Sequence, residues 1–277
     1  MNTGSNGAGG IEIKKSNPLK AWFPAIVVVL SMVIAFVVFY TIFASPDNFD
    51  GGDPIKGHPL NFFGTVYKGG FVIPIGIGLH LMLWVFFIER LITVFFLAKG
   101  RSSLDVFVQN VRLKLNSGDI DGALASCDRQ KGSVANVVKA GLIRYKAVEA
   151  NPDTDKDVNR EAIQKELEEA TSLELPMLER NLPFLATIAS VGVLIGLFGT
   201  VLGMIKAFQA LSTAGAPDAS ALATGISEAL VNTALGIGTS ALAIIFYNFF
   251  TTTIDSLTYR IDEAGYSIVQ TYETTHH

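Results

Sequence analysis

The chain has 277 residues, with 21 Lys and Arg against 25 Asp and Glu, a formal net charge of −4. It is 49% hydrophobic and only 17% charged, with a mean hydropathy of +0.41, whereas a soluble domain carries roughly 25% charged residues. The acidic balance leaves no basic stripe to neutralise nucleic-acid phosphates, and the single cysteine, Cys127, excludes an intrachain disulfide and any multi-cysteine metal site.

Residues 1–20 open with a Gly, Ser and Asn run that lacks apolar periodicity and reads as a disordered terminus. Residues 21–43 form an apolar run too long for a signal-peptide core. The Ala44-Ser45-Pro46 that follows is a poor cleavage site, so the run reads as a retained transmembrane helix. Residues 44–69 are rich in Gly, Pro and Asp and read as a loop outside the membrane, within which 60–68 is amphipathic enough to lie along the interface. Residues 70–97 supply the second span.

Residues 98–181 change character. Leu104, Phe107, Val108, Val111 and Leu115 recur at helical spacing until Gly118 stops the helix. Helices over 120–129 and 134–150 follow, then an acidic turn at 151–157. A charged helix over 158–179 comes next, on which Glu161 and Lys165 are spaced i,i+4. Pro176 and Pro183 bend that helix where it runs into the third span, residues 182–211. A short loop (212–220), the fourth span (221–253) and a helical tail (254–277) complete the chain. The fold expected is all-α: a polytopic membrane protein with four transmembrane helices and a helical cytoplasmic domain continuous with them.

The loops set the orientation. Lys14, Lys15 and Lys20 precede the first span, and Lys99 and Arg101 follow the second. The first connecting loop carries Asp47, Asp50 and Asp53 against Lys56 and Lys68, and the third carries Asp218 without Lys or Arg. The positive-inside bias puts both termini and the 98–181 domain in the cytoplasm. The exit of the fourth span is mixed, with Arg260 beside Asp255, Asp262 and Glu263.

The last two spans carry the informative residues. Gly192, Gly196, Gly199 and Gly203 contain two overlapping GxxxG spacings, the device by which helices approach closely in lipid. Gly225, Ala229, Ala234 and Gly238 read as the same device on the fourth span. Thr200 sits mid-span, facing a polar line of Thr233 and Ser240. These hydroxyls either satisfy their own helix carbonyls or wet a path for an ion. Glu228 is the one carboxylate well inside these two spans and a functional candidate for that reason. The alternative is a snorkelling or paired carboxylate, with Lys206 near the same outer end as its partner, and Asn232 stands one turn away within reach of a hydrogen bond. In the second span His80 reads as a hydrogen-bonded structural residue, and Glu89 and Arg90 as markers of the membrane boundary. No nucleophile elbow, HExxH motif or phosphate-binding loop is present, so neither an enzyme nor a cofactor is expected.

The stretch 196–204 (GLFGTVLGM), the stretch 226–236 (ISEALVNTALG) and Tyr247-Asn248 resemble the ExbB/TolQ/MotA proton-channel family, nearer to ExbB than to the others. Glu89-Arg90-Leu91-Ile92, Gly118-Asp119 and Ala140-Gly141-Leu142 add to the likeness, which covers roughly residues 70–265. The resemblance implies a homopentamer in the bacterial inner membrane around a dimer of single-span ExbD/TolR-like helices. Each of those helices supplies a membrane aspartate near Thr200 and Thr233, and a TonB-like protein receives the force. On this reading Thr200, Thr233, Glu228 and Ser240 belong to the proton pathway, and Gly192, Gly196, Gly199, Gly203, Asn232 and Gly236 to helix packing against each other and the partner. The chain departs from the family pattern at Gly192-Val193, where an Ala-Pro pair is common, at Leu242, where a proline is common, and in having a fourth span.

Overall fold

The computed structural model describes residues 18–150, 155–212 and 219–275. Most of the expected disordered terminus, residues 151–154 of the acidic turn, residues 213–218 of the third loop and His276-His277 lie outside the described residues. The described helices are α1 (Pro18–Val38), α2 (Phe62–Lys68), α3 (Val72–Leu91), α4 (Leu104–Asn116), α5 (Ile120–Gln130), α6 (Ser133–Glu149), α7 (Lys156–Glu179), α8 (Leu182–Ser212) and α9 (Ala219–Thr275). π-Helical turns extend α1 through Phe43 and α3 through Ala98. Four helical runs are long and apolar enough to cross a membrane: Trp22–Phe43, Val72–Ala98, Lys156–Ser212 and Ala219–Thr275. The chain is an all-α polytopic membrane protein.

The fourth span and the helical tail beyond residue 253 form one helix. α9 runs unbroken for 57 residues, about 85 Å at 1.5 Å per residue, because no proline interrupts it. Only about 30 Å of that length is needed for the hydrocarbon core. The rest projects out and packs against α4, α6 and α7. α7 and α8 form a second long rod with one irregularity, Arg180-Asn181, just ahead of Pro183. Pro183 has no N–H to close the helix there. The Leu178 carbonyl beside the irregularity accepts a 2.7 Å hydrogen bond from the buried Arg90 guanidinium of α3.

A large apolar core joins the inner part of the spans to the helical domain, and a second, smaller one holds Phe39, Val66 and Ile73 at the other end of the spans. The large core links Leu83 and Phe86 of α3, Leu185 of α8 and Phe250 of α9 to Val111, Val138, Leu142, Ile163 and Ile268 of the helical domain. Cys127 is buried in this core, and burial pushes its thiol up to about 12, so at neutral pH it is a small protonated hydrophobe. On exposed α7, Lys165 meets Glu169 at 3.9 Å rather than Glu161, a contact worth little in solvent.

α1 packs along α3. Phe23 meets Phe86 edge-on at 6.3 Å, and Val27, Ser31 and Ala35 are buried while Trp22, Val29, Val33 and Val37 face outward. Between α1 and α3 the loop is tied down by asparagines. Asn48 donates to the Ile42 and Phe43 carbonyls, Asn61 donates to Asn48, and Asn61 accepts from Gly64 N–H as the cap of α2.

Candidate functional site

α8 and α9 lie against each other along a seam of small residues. Gly192, Gly196, Gly199 and Gly203 are buried on α8, and Gly225, Ala229, Asn232, Gly236, Ser240 and Ala243 on α9. The backbones touch: a Cβ added at Gly236 would lie 2.5 Å from the Gly192 oxygen and 2.7 Å from the Gly196 Cα, and one at Gly203 would lie 2.8 Å from the Ala229 nitrogen. Such approach maximises van der Waals contact, which holds helices together in lipid. The small residues read from the sequence on α9 are thereby divided. Gly225 and Ala229 are in the seam, but Ala234 and Gly238 are exposed, with nothing within 4 Å of a Cβ at Gly238. The step from 229 to 234 is five residues, about 500° of helix rotation, and carries the pattern off the face.

Three elements converge on Glu228. Its carboxylate is buried and meets Lys206 of α8 at 2.6 Å, the side chains being 6% and 55% exposed. The Gly69-Gly70 turn between α2 and α3 covers it. Gly70 holds φ +76°, and a Cβ there would collide with the Glu228 carboxylate, so glycine is required on both counts. Asn232, 3% exposed, fixes the turn by donating to the Gly69 carbonyl at 2.8 Å. Its other hydrogen bond reaches the Glu228 main-chain carbonyl at 3.0 Å. Breaking the pair from either side should have unequal effects. Lys206→Met strands a buried carboxylate, whereas Glu228→Gln frees a cation that already reaches the surface. K206M is expected to lower the Tm of the detergent-solubilised chain more than E228Q, and the double variant should lie above K206M. The reverse order would show that the pair does not stabilise this corner.

The hydroxyls separate into two groups. Thr233 is half-buried, donating to Ala229 O at 3.1 Å with Gly196 O at 3.4 Å. Thr200, one turn from Gly196, is also half-buried and donates to Leu197 O at 2.5 Å. Both lie at the margin of the seam. Ser240 is 3% exposed and donates to the Ala189 carbonyl of α8, so its hydroxyl is sealed inside the seam. A buried hydroxyl not singled out in the sequence, Thr239, bonds His80 Nδ1 at 3.0 Å. Trp84 Nε1 donates to His80 Nε2 at 3.1 Å, so Nε2 accepts and Nδ1 carries the proton, donating to Thr239. This neutral tautomer fixes His80 as a strut between α3 and α9. The clue to Thr239 was present: it follows Asn232 by one heptad on the same face. Nothing in the sequence pointed to Gly69-Gly70.

Glu89 and Arg90 form a two-pronged pair, with Arg90 Nε and Nη2 each 2.6 Å from a Glu89 oxygen. Thr93 donates to the same carboxylate at 3.0 Å.

A family model described as the MotA/TolQ/ExbB proton channel family matches residues 130–263. The chain is 35% identical to the Tol-Pal system protein TolQ of Pseudomonas aeruginosa over 151 residues, 54% of this chain and 65% of the relative. It is 41% identical to the Tol-Pal system protein TolQ of Haemophilus influenzae over 100 residues, 36% of this chain and 43% of the relative. Against the biopolymer transport protein ExbB of Salmonella typhimurium the identity is 29% over 160 residues, 56% of this chain and 66% of the relative. The chain thus spans under two thirds of the length of each of these relatives. The matched stretch begins at the end of α5 and contains the seam, Thr200, Thr233 and the Glu228 corner, and together with the TolQ and ExbB relatives it supports an ExbB/TolQ/MotA family protein.

Proposed function

We propose that this chain is the channel-forming stator subunit of a proton-driven motor in the bacterial inner membrane, with both termini cytoplasmic. Five copies surround two single-span partner helices, each bringing an aspartate to the level of Thr200 and Thr233. The observation that carries this reading is the make-up of the seam margin. Two half-buried hydroxyls sit in apolar surroundings with no carboxylate at their level, and the one acid of these spans, Glu228, is held against Lys206. A titrating group must then come from a partner.

A proton enters past Glu228, passes the Thr200 and Thr233 hydroxyls and neutralises the partner's aspartate. The neutral side chain moves past an apolar wall that includes the exposed Leu197, Phe198, Val201 and Leu230. Release to the cytoplasm restores its charge. Each proton supplies about 2.3 kcal/mol per 100 mV of membrane potential. Five subunits cannot match the symmetry of two helices, so each step turns the partner. Ser240, spent on Ala189, holds the seam rather than the path.

The motor passes force to a TonB-like protein and energises outer-membrane transport. A second reading, a Tol-type motor serving the cell envelope, is favoured by the higher identity to the TolQ relatives than to the Salmonella ExbB. Native mass spectrometry of the complex co-expressed with its neighbouring genes tests the architecture. Five copies holding two of a small single-span protein are expected. A lone oligomer without a small partner would instead indicate a passive scaffold.

A further inference from the structure

A cleft of about 330 Å³ opens between α4 and α5, closed at one end by the loop that follows the second span. Arg101 of that loop, Lys114 of α4 and Arg129 of α5 line it, and no carboxylate does. Among the described residues none of the three meets an acid. Lys114 Nζ donates to the Gly122 carbonyl at 2.8 Å, and Arg129 reaches only Ala125 O and Ser126 Oγ, at 3.3 and 3.4 Å. Four other cations of the same domain do meet acids: Lys139 pairs with Asp128, Lys146 with Asp121, Arg160 with Glu273 and Arg260 with Asp105. Three cations sharing one small cleft repel one another until an anion joins them.

The cleft is also built. Gln130, 3% exposed, forms its floor. Its amide nitrogen donates to the Lys99 and Ser102 carbonyls, each at 3.0 Å. Its amide oxygen accepts from the Ser102 N–H at 3.2 Å and from the Ser102 hydroxyl. Its main-chain carbonyl accepts from Arg101 N–H at 2.9 Å. Gly100 turns the loop at φ +79°, pressed against the Lys131 carbonyl where a Cβ would collide. The backbone of Arg101 is therefore fixed beside α5 before any ligand arrives, which lowers the ordering cost of binding. Phe107 supplies an apolar wall.

The position of the cleft narrows the ligand. Phe96 and Leu97, 73% and 64% exposed, end the apolar surface of the second span, and Arg101 follows four residues later. Arg101, one wall of the cleft, thus stands just past the end of that apolar surface, the level at which lipid headgroups would lie.

We infer that the α4–α5 cleft binds a phosphate group, supplied by the headgroup of an anionic phospholipid or by a soluble phosphate ester, with the lipid favoured by position. Bound there, the headgroup docks the helical domain onto the adjoining leaflet independently of ion conduction. The test is native mass spectrometry of the full chain in detergent titrated with phosphatidylglycerol, comparing wild type, Arg101→Ala/Arg129→Ala and a control, Lys139→Ala. Each arginine near the headgroup is worth about a fivefold change in affinity, so the double variant is expected to bind about 25-fold more weakly, with unchanged helical circular dichroism. K139A should match wild type, and phosphatidylcholine should not discriminate among the three. Arginine-dependent binding of glycerol 3-phosphate without arginine-dependent binding of phosphatidylglycerol would assign the site to a soluble phosphate. Equal binding of both ligands by wild type and double variant would overturn it.

Discussion

Thr233→Val is expected to abolish proton conduction while leaving the chain folded and assembled. Valine matches threonine in shape but cannot donate or accept a hydrogen bond. The hydroxyl that it removes is half-buried and shared between Ala229 O and the more distant Gly196 O. Both carbonyls belong to helices that remain intact, so the stability cost is about 1 kcal/mol. The functional cost is larger, because no other side-chain hydroxyl at that level of α9 reaches the margin. Ser240 is committed to Ala189, and Thr239 to His80. Proton flux into liposomes holding the chain and its partner should fall at least about tenfold, equivalent to 1.4 kcal/mol of barrier, and Thr233→Ser should retain most of it. Wild-type flux in assembled Thr233→Val would remove the hydroxyl path from the mechanism and favour the scaffold.

The largest structural effect is expected at Gly236. A Cβ there would meet the Gly192 oxygen at 2.5 Å, the Gly196 Cα at 2.7 Å and the Gly196 nitrogen at 2.9 Å. All three are main-chain atoms of α8, so no side-chain rotation relieves the clash, and the two long helices must separate. Overpacking of this kind costs about 1–3 kcal/mol or more. Gly236→Leu should leave little monodisperse protein in detergent, and Gly236→Ala should lower Tm clearly. Gly238→Ala is the matched control, two residues on and facing open space. It should be neutral, or stabilising by up to about 1 kcal/mol through helix propensity. Similar losses at both positions would mean that the seam is not the close contact that holds α8 and α9.

The apolar run lengths, the GxxxG spacing and the lone acid were legible from the chain alone. Each is a local property, and a membrane permits few answers to it. Spanning segments must satisfy their own backbone, so a long apolar run is a helix, and glycines four apart share a face whatever lies opposite. The extra first helix was legible on the same ground. Less so was the α9 seam. Gly225 and Ala229 were read in register, but Ala234 and Gly238 were carried along by composition, and their true counterparts on the face were Asn232, Gly236 and Thr239.

The sequence by itself determined the all-α class, the four spans and the identity of the unusual polar residues inside them. Hydropathy and helical period act along one segment at a time and need no knowledge of neighbours. Only the tertiary structure decided what each polar residue meets. It set Lys206 and the Gly70 turn against Glu228, tied Asn232 to a carbonyl 163 positions away, gave Arg90 the Leu178 carbonyl and locked His80 between Thr239 and Trp84. It also sealed Ser240 in the seam while leaving Thr233 at its margin. A helical period says which residues share a face but not what that face meets. In a medium without competing water, a polar group's partner is whichever donor or acceptor the packing brings within about 3 Å.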